Sequence, residues 1–269
     1  MVKLQQQKLF NLLSEKSHTV SLGLNPLTKI KDYAAFTKFR LASLVLVSAF
    51  AGYYIVVDTI IWSELIALIF GGFLVTGSSN GINQIIEKDL DKLMDRTENR
   101  PLPMNKMTVP EGIIVVSIMG VMGIFVLWYF LNPLSGLLGA LALLIYTSLY
   151  TPLKRISPWA VYVGAIPGAI PPMLGAVAGS GEFGLEPGIL FAIQFVWQFP
   201  HFWAIAWKVD DDYAKAGFRL LPSKGGKDKN SALQILIYTI VLIPVALLPC
   251  FLGMAGIIYG SVKIGRAHV

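Results

Sequence analysis

Long apolar stretches of about 20 residues recur along the chain, and this length is the feature that most limits the fold. An α-helix rises about 1.5 Å per residue, so about 20 apolar residues cross the ~30 Å hydrocarbon core of a bilayer. The stretches lie at residues 42–60, 62–80, 111–131, 134–152, 159–179, 187–207 and 231–250, and an eighth begins near residue 251. Because lipid offers the backbone no hydrogen-bond partner, we predict an all-α, polytopic transmembrane helical bundle.

Basic residues alternate regularly with these stretches. Seven precede the first stretch, and later groups lie at 88–106, 154–155 and 208–229. The intervening connections contain no Lys or Arg; they lie near 58–64, 132–133 and 180–188. Lys and Arg mark cytoplasmic loops. We therefore predict that residues 1–40 form a cytoplasmic N-terminal segment and that every basic segment lies on the same side of the membrane.

The composition agrees with a membrane protein. Hydrophobic residues make up 55% of the chain and charged residues 14%, against roughly 25% charged in soluble domains. The net charge of +6 follows from the one-sided topology, so we predict no nucleic-acid partner. The single Cys250 rules out a disulfide framework. The lack of an Arg- and Ser-rich leader favours a bacterial plasma (inner) membrane over a mitochondrial one.

The C-terminal residues depart from this pattern. The eighth stretch has hardly a dozen apolar residues before Lys263. Residues 264–269, Ile-Gly-Arg-Ala-His-Val, match one reading frame of a common sequencing adapter, so we expect a non-native tail and leave His268 out of site arguments. We expect the transmembrane domain to occupy residues 41–263 and to be truncated at its C-terminal end.

A polar motif follows the second apolar stretch. Asn83, Glu87 and Asp91 are four residues apart, so on an α-helix they share one face over about 12 Å. Such oxygen ligands suit Mg²⁺, which binds through a few carboxylates together with phosphate oxygens. Arg96 and Arg100 follow, and guanidinium groups match phosphate oxygens. The alternative is a solvated charged loop, but acids at a membrane edge are costly and are usually functional.

A second polar segment follows the sixth stretch at its cytoplasmic end. Lys208 and Asp212 are four residues apart, and the adjacent acids 210–212 could hold a second metal ion or form a solvated turn. We favour function for Asp212 and the solvated turn for Asp210. His201 is flanked by aromatic residues that could cover a flat porphyrin, and its imidazole could bind iron, relay protons or be purely structural.

Residues 83–100 resemble the signature of the UbiA superfamily of intramembrane prenyltransferases. The shared pattern is Asn, an acid four residues on, Asp four further, and then Met-x-Arg-Thr-x-x-Arg. This resemblance implies nine transmembrane helices around a central cavity, of which about eight are present in this chain. It also implies that Asn83, Glu87 and Asp91 bind Mg²⁺ and a prenyl diphosphate, with Glu87 standing where many members have Asp.

Residues 200–222 are similar to the haem O synthase branch of that superfamily. They contain Pro-His-Phe-Trp-Ala-x-Ala-Trp-Lys, then Asp-Tyr-Ala-x-Ala-Gly and Leu-Pro. Lys208 replaces the first of two aspartates found in typical members, which shifts its expected role from metal binding to diphosphate contact. The segments 27–40, 150–155 and 164–172 also look like this branch.

The resemblance implies transfer of a farnesyl group from farnesyl diphosphate to a vinyl group of protohaem IX (haem B), giving haem O for haem–copper terminal oxidases. The expected catalytic residues are Asp91, Lys154, His201, Lys208 and Asp212. The expected metal ligands are Asn83, Glu87, Asp91 and Asp212. The expected diphosphate contacts are Lys38, Arg40, Arg96, Arg100, Lys154, Arg155 and Lys208. The expected partners are farnesyl diphosphate, haem B and the lipid bilayer, with haem A synthase or terminal oxidase assembly as candidate recipients of the product.

Two alternatives stay open at this point. A UbiA-type prenyltransferase acting on a quinone precursor or another aromatic acceptor would carry the same metal motif, and only segment 201–212 argues against it. A non-catalytic haem carrier or transporter is the alternative of another class. Transporters often place broken helices at the membrane midplane, whereas the charged motifs here lie at cytoplasmic helix ends.

Overall fold

The computed structural model describes residues 26–223 and 225–254, and within those ranges the regular elements are all helical. The helices are α1 (Pro26–Phe36), α2 (Phe39–Val56), α3 (Trp62–Asp91), α4 (Val109–Phe130), α5 (Pro133–Leu144), α6 (Ala160–Ser180), α7 (Leu185–Lys208), α8 (Asp210–Lys215) and α9 (Lys229–Phe251). Helix α5 continues through a π-helical segment, Ile145–Tyr150, into a last α-helical turn, Thr151–Leu153.

Seven of the described helices are long and apolar enough to cross a membrane, counting α5 together with its continuation. They coincide with the seven predicted stretches and confirm an all-α, multi-pass membrane protein. The expected eighth span lies almost entirely outside the described residues. The same holds for residues 1–25 of the predicted N-terminal segment and for the suspected tail 264–269.

Helix α3 is longer than a bilayer crossing requires. Its 30 residues measure about 45 Å at 1.5 Å per residue, against a hydrocarbon core of about 30 Å. The polar motif occupies its last third. The excess length therefore carries that motif to one end of the bundle, at the level of the basic connections.

The outward faces of the helices are apolar. On α4, Ile114, Ile118, Val121 and Phe125 are each more than half exposed, and their spacing of four, three and four residues places them on one face. In a soluble protein so large an apolar surface would need a covering partner. Here it is the surface that lipid contacts.

Helix α1 is held against the bundle by polar contacts at both of its ends. Near its start, Lys29 forms an ion pair with Glu111 at 3.0 Å, and the Tyr33 hydroxyl donates to the same carboxylate at 2.7 Å. At its end, the buried Gln84 amide on α3 donates to the carbonyl oxygen of Phe36 at 2.7 Å. These contacts fix the turn between α1 and α2, where Lys38 lies.

Helices α2 and α6 touch backbone to backbone at two glycines. A Cβ atom on Gly52 would overlap the carbonyl oxygen of Pro172, and one on Gly175 would overlap the carbonyl oxygen of Ala49. Neither position has room for any side chain. Small residues permit this approach in membrane bundles, where van der Waals packing rather than the hydrophobic effect drives helix association.

We expect Gly175→Val to force α2 and α6 apart and to lower the stability of the detergent-solubilised protein by about 3 kcal/mol. Thermal unfolding followed by circular dichroism measures the change. Gly188→Ala on α7 is the control, because a Cβ there meets no atom within 4 Å, and it should be neutral or slightly stabilising. An unchanged transition for Gly175→Val would contradict the direct backbone contact.

Candidate functional site

The C-terminal third of α3 places three oxygen-bearing side chains on one buried face. Asn83, Glu87 and Asp91 are 2%, 4% and 0% exposed. Their spacing of four along an unbroken helix gives them the shared face that the sequence predicts. The structure therefore brings together the three predicted metal ligands on α3.

Each carboxylate of this face is paired with a cation from another segment. The ammonium of Lys154 forms an ion pair with Glu87. Arg100 donates from Nη1 to both carboxylate oxygens of Asp91, at 2.8 and 2.7 Å. A buried carboxylate without a partner would be strongly destabilising, so the two pairs allow this face to be buried.

The π-helical continuation of α5 supplies the opposite wall of the site. The Thr151 hydroxyl donates to the carbonyl oxygen of Tyr146 at 2.8 Å and accepts from the Asn83 amide at 3.3 Å. Lys154 follows one turn later and lies 5.0 Å from the ring centroid of Tyr150. A π-helical turn changes which side chains face a neighbouring helix and is common at functional sites. Here it brings both Thr151 and Lys154 against α3.

Lys38 adds a third cation to the site. It stands between α1 and α2 in a left-handed backbone conformation, with φ of 51°. Burial, with the positive charges of Arg100 and Lys154, lowers the pKa of Lys38 to about 7, while Glu87 and Asp91 act in the opposite direction. The charges of both ion pairs therefore act on the Lys38 ammonium. When it is protonated, three cations face two carboxylates, and the excess of one positive charge favours an anionic ligand.

Asp212 has a different environment from the predicted one. Its carboxylate accepts hydrogen bonds from the backbone N–H groups of Asp95 at 2.8 Å and Arg96 at 3.4 Å. Lys215 forms ion pairs with Asp212 at 3.3 Å and with Asp95 at 2.6 Å. Burial raises the pKa of Asp212, but these hydrogen bonds and Lys215 outweigh it and lower the pKa overall.

The prediction that Asp212 is a fourth metal ligand stays a prediction. Among the described residues, its carboxylate accepts hydrogen bonds from the loop that follows α3 and forms no hydrogen bond with Asn83, Glu87 or Asp91. The physical reason is that two adjacent backbone N–H groups of that loop satisfy the carboxylate oxygens. Asp212 thereby attaches α8 to the segment that carries Arg96 and Arg100.

The other four cations that were predicted to contact the diphosphate form no ion pair with Glu87 or Asp91 in the described part of the chain. The Arg96 guanidinium lies 5.5 Å from the ring centroid of Tyr213, and Arg155 lines a separate pocket. Arg40 and Lys208 are exposed. Their predicted contact with a diphosphate therefore stays a prediction.

His201 lies on the exposed side of α7. The helix buries Phe199 and Trp203, and His201, two residues from each, points away from them. Its imidazole stacks on Trp197 with ring centroids 4.2 Å apart. The expected role of His201 toward iron or protons stays a prediction.

Sequence reasoning missed some of the residues around this site. Thr151 contacts Asn83, and the Phe218 ring lies 5.4 Å from the Lys154 ammonium. Thr151 is three positions before Lys154, so proximity to a predicted site residue was a usable signal. Nothing in the sequence around Phe218 indicates that it lies beside Lys154, because the two are 64 positions apart.

The donor set on α3 suits magnesium better than a transition metal. In the described residues, no three His, Cys, Asp or Glu side chains are grouped so as to hold a metal ion by themselves. A Mg²⁺ ion does not need such a group, since it binds through one or two carboxylates and takes phosphate oxygens and water for the rest. Glu87, Asp91 and the amide oxygen of Asn83 therefore fit a magnesium ion that arrives with a diphosphate.

We expect Lys154→Met to destabilise the protein by about 3–5 kcal/mol, because it leaves the Glu87 carboxylate buried without a cation. Adding Glu87→Gln should recover most of that loss, and a double-mutant cycle from unfolding in detergent measures the coupling. Lys92→Met, which breaks the exposed pair with Asp89, is the control and should leave stability unchanged. Additive effects of the two buried substitutions would contradict the pairing.

Comparisons with known proteins identify the family of this chain. The family model described as the UbiA prenyltransferase family matches residues 45–265. A protein of Christiangramia forsetii called protoheme IX farnesyltransferase is 51% identical over 233 residues, which are 86% of this chain and 77% of that protein. A protein of the same name from Cytophaga hutchinsonii is 48% identical over 231 residues, covering 86% of this chain and 81% of its own.

A solved structure gives the same fold. A UbiA homolog from Archaeoglobus fulgidus, bound to DMAPP and Mg²⁺, matches with a TM-score of 0.68 at 15% identity, covering 88% of this chain and 83% of its own. At that identity the likeness concerns the fold alone. It confirms the helical bundle that the apolar stretches predict.

Proposed function

The chain belongs to the UbiA prenyltransferase family, and on this premise we propose that it transfers the farnesyl group of farnesyl diphosphate to a vinyl group of haem B, giving haem O. The observation that carries the proposal is 51% identity to a protoheme IX farnesyltransferase across 86% of the chain. The ion pairs Lys154–Glu87 and Arg100–Asp91 at the end of α3 supply cations and carboxylates suited to the departure of a diphosphate.

The buried polar site supplies what departure of a diphosphate requires. Asn83, Glu87 and Asp91 would hold Mg²⁺, which offsets phosphate charge when it is bound. Lys38, Arg100 and Lys154 would contact the phosphate oxygens, where negative charge grows as the bond to the farnesyl carbon breaks. Fixed cations stabilise such charge strongly in a site of low dielectric, because they need little reorganisation.

Exclusion of water sets the order of bond formation. The bond from C1 of the farnesyl group to the diphosphate oxygen breaks, and C1 bonds to the terminal vinyl carbon of haem B. Water then adds to the other vinyl carbon and releases one proton, leaving a hydroxyethylfarnesyl substituent. The residues that face the leaving group, Asn83, Glu87 and Asp91, are almost fully buried, so water is kept from the allylic cation until the carbon–carbon bond has formed.

We expect the purified protein, supplied with haem B, farnesyl diphosphate and Mg²⁺, to form a product heavier by a farnesyl and a hydroxyl group, detected by mass spectrometry. Asp91→Asn keeps the shape but removes the charge, and should lower turnover by about 100-fold or more. Chelation of Mg²⁺ should abolish turnover. Asp89→Asn, two positions away on the same helix and exposed, should leave turnover unchanged.

Two results would contradict this proposal. Full turnover of the Asp91→Asn variant would remove the metal–diphosphate assignment. Prenylation of 4-hydroxybenzoate, with haem B left unmodified, would show that the acceptor assignment is wrong. The family membership would not be affected.

We further infer that the site faces the cytoplasm of a bacterial inner membrane and that the product passes on to haem A synthase or terminal oxidase assembly. The orientation is supported by the Lys and Arg residues, which lie in alternate connections only.

In a Cys250→Ser background, Glu182→Cys should react with an impermeant maleimide in intact cells, whereas Glu98→Cys should react only after lysis. Both glutamates are exposed, so a cysteine at either position is accessible to the reagent. The reverse labelling pattern would show that the proposed orientation is wrong.

A further inference from the structure

A second pocket, with a mixed polar and apolar lining, opens beside the buried site. Its volume is about 750 Å³, within the range that holds small ligands. Its wall combines the turn that follows the α5 continuation, including Arg155 and Pro158, with residues in and after α8, including Phe218 and Arg219. These segments belong to the basic connections, so the pocket lies at the proposed cytoplasmic rim.

Two arginines of this pocket lack polar partners among the residues that the structure describes. In the described part of the chain, neither Arg155 nor Arg219 forms an ion pair or a side-chain hydrogen bond, and both are exposed. Neighbouring cations are engaged, since Lys154 pairs with Glu87 and Lys227 pairs with Asp211 at 3.1 Å. The two guanidinium groups are therefore available to a ligand.

The charge of the lining favours an anion. Among the described residues, the charged side chains that line the pocket are Arg155, Arg219 and Asp210, and together they carry one net positive charge. Asp210 opposes the binding of an anion, but the two arginines outnumber it. Guanidinium groups bind carboxylates through two parallel hydrogen bonds, so each arginine matches one carboxylate.

The pocket and the buried site share a wall. Phe218 lines the pocket, and its ring centroid lies 5.4 Å from the Lys154 ammonium, which pairs with Glu87. A ligand held by Arg155 and Arg219 would therefore lie next to the position where the diphosphate leaves. Such a ligand is well placed to be the acceptor.

We propose that Arg155 and Arg219 bind the two propionate carboxylates of the acceptor porphyrin, an inference that rests on the proposed function. Of the two substrates, the diphosphate has cations of its own in the buried site, which leaves the propionates as the anionic groups to be matched. They lie on one edge of haem B and the vinyl groups on the other. Carboxylates held at the aqueous rim avoid the cost of burial, and the opposite edge extends past Phe218 toward the buried site.

This assignment separates Arg155 from Lys154. The two residues are adjacent in sequence, and both were expected to contact the diphosphate. In the structure Lys154 faces α3, whereas Arg155 lines the outer pocket with Arg219. Lys154 would thus contact the donor substrate, whereas Arg155 would contact the acceptor.

The test compares haem B with its dimethyl ester, which has the same ring and vinyl groups but no carboxylates. Equilibrium binding to the full chain in detergent, without farnesyl diphosphate, is followed by quenching of tryptophan fluorescence. We expect the wild type to bind haem B at least about tenfold more tightly than the ester. Arg155→Leu/Arg219→Leu should lose that preference and raise KM for haem B while KM for farnesyl diphosphate stays unchanged.

Lys227→Met is the matched control, because it removes an exposed cation of the same connection that does not line the pocket, and it should keep the wild-type preference. Equal binding of haem B and its ester by the wild type would overturn the inference, whatever the fate of the variants. A rise in KM for farnesyl diphosphate instead would also overturn it and assign the arginines to the donor. Preference for haem B without any farnesylated product would refute the proposed reaction but support the propionate site.

Discussion

Two carboxylates buried at the end of a membrane helix determine how the polar site is assembled. Glu87 and Asp91 are almost fully buried, and in surroundings of low dielectric each needs a cation beside it. Those cations come from outside α3: Lys154 follows α5, and Arg100 lies in the loop after α3. Charge compensation therefore fixes the position of two further segments, and the same contacts assemble the polar site.

The pairing also explains how one site can be stable alone and still accept a substrate. Without a ligand, Lys154 and Arg100 neutralise the carboxylates. In the proposed complex, the same cations would contact phosphate oxygens, and the carboxylates would bind the Mg²⁺ ion. The number of opposite charges in contact is kept in both states, so no charge is left buried without a partner. Lys38, with a pKa lowered to about 7, adds a further positive charge when it is protonated.

The cytoplasmic connections organise the two substrates around this site. Asp212 and Lys215 attach α8 to the loop after α3, and the chain then runs on to Phe218 and Arg219. Phe218 separates the buried cations from the outer pocket. In this arrangement a charged leaving group and a charged acceptor would each have their own cations, with an aromatic ring between them.

The helical bundle and the polar face of α3 are the two features that the amino-acid sequence predicts correctly. Apolar stretches must match the thickness of the bilayer, and side chains four apart must share a helix face, so both could be predicted from residue order alone. Three further features became visible only once the helices were packed: which cation meets which carboxylate, that Asp212 binds backbone N–H groups, and that Arg155 turns away from Lys154. The Glu87–Lys154 pair and the contacts of Asp212 join residues distant in sequence, and Lys154 follows a π-helical turn that no periodicity reveals.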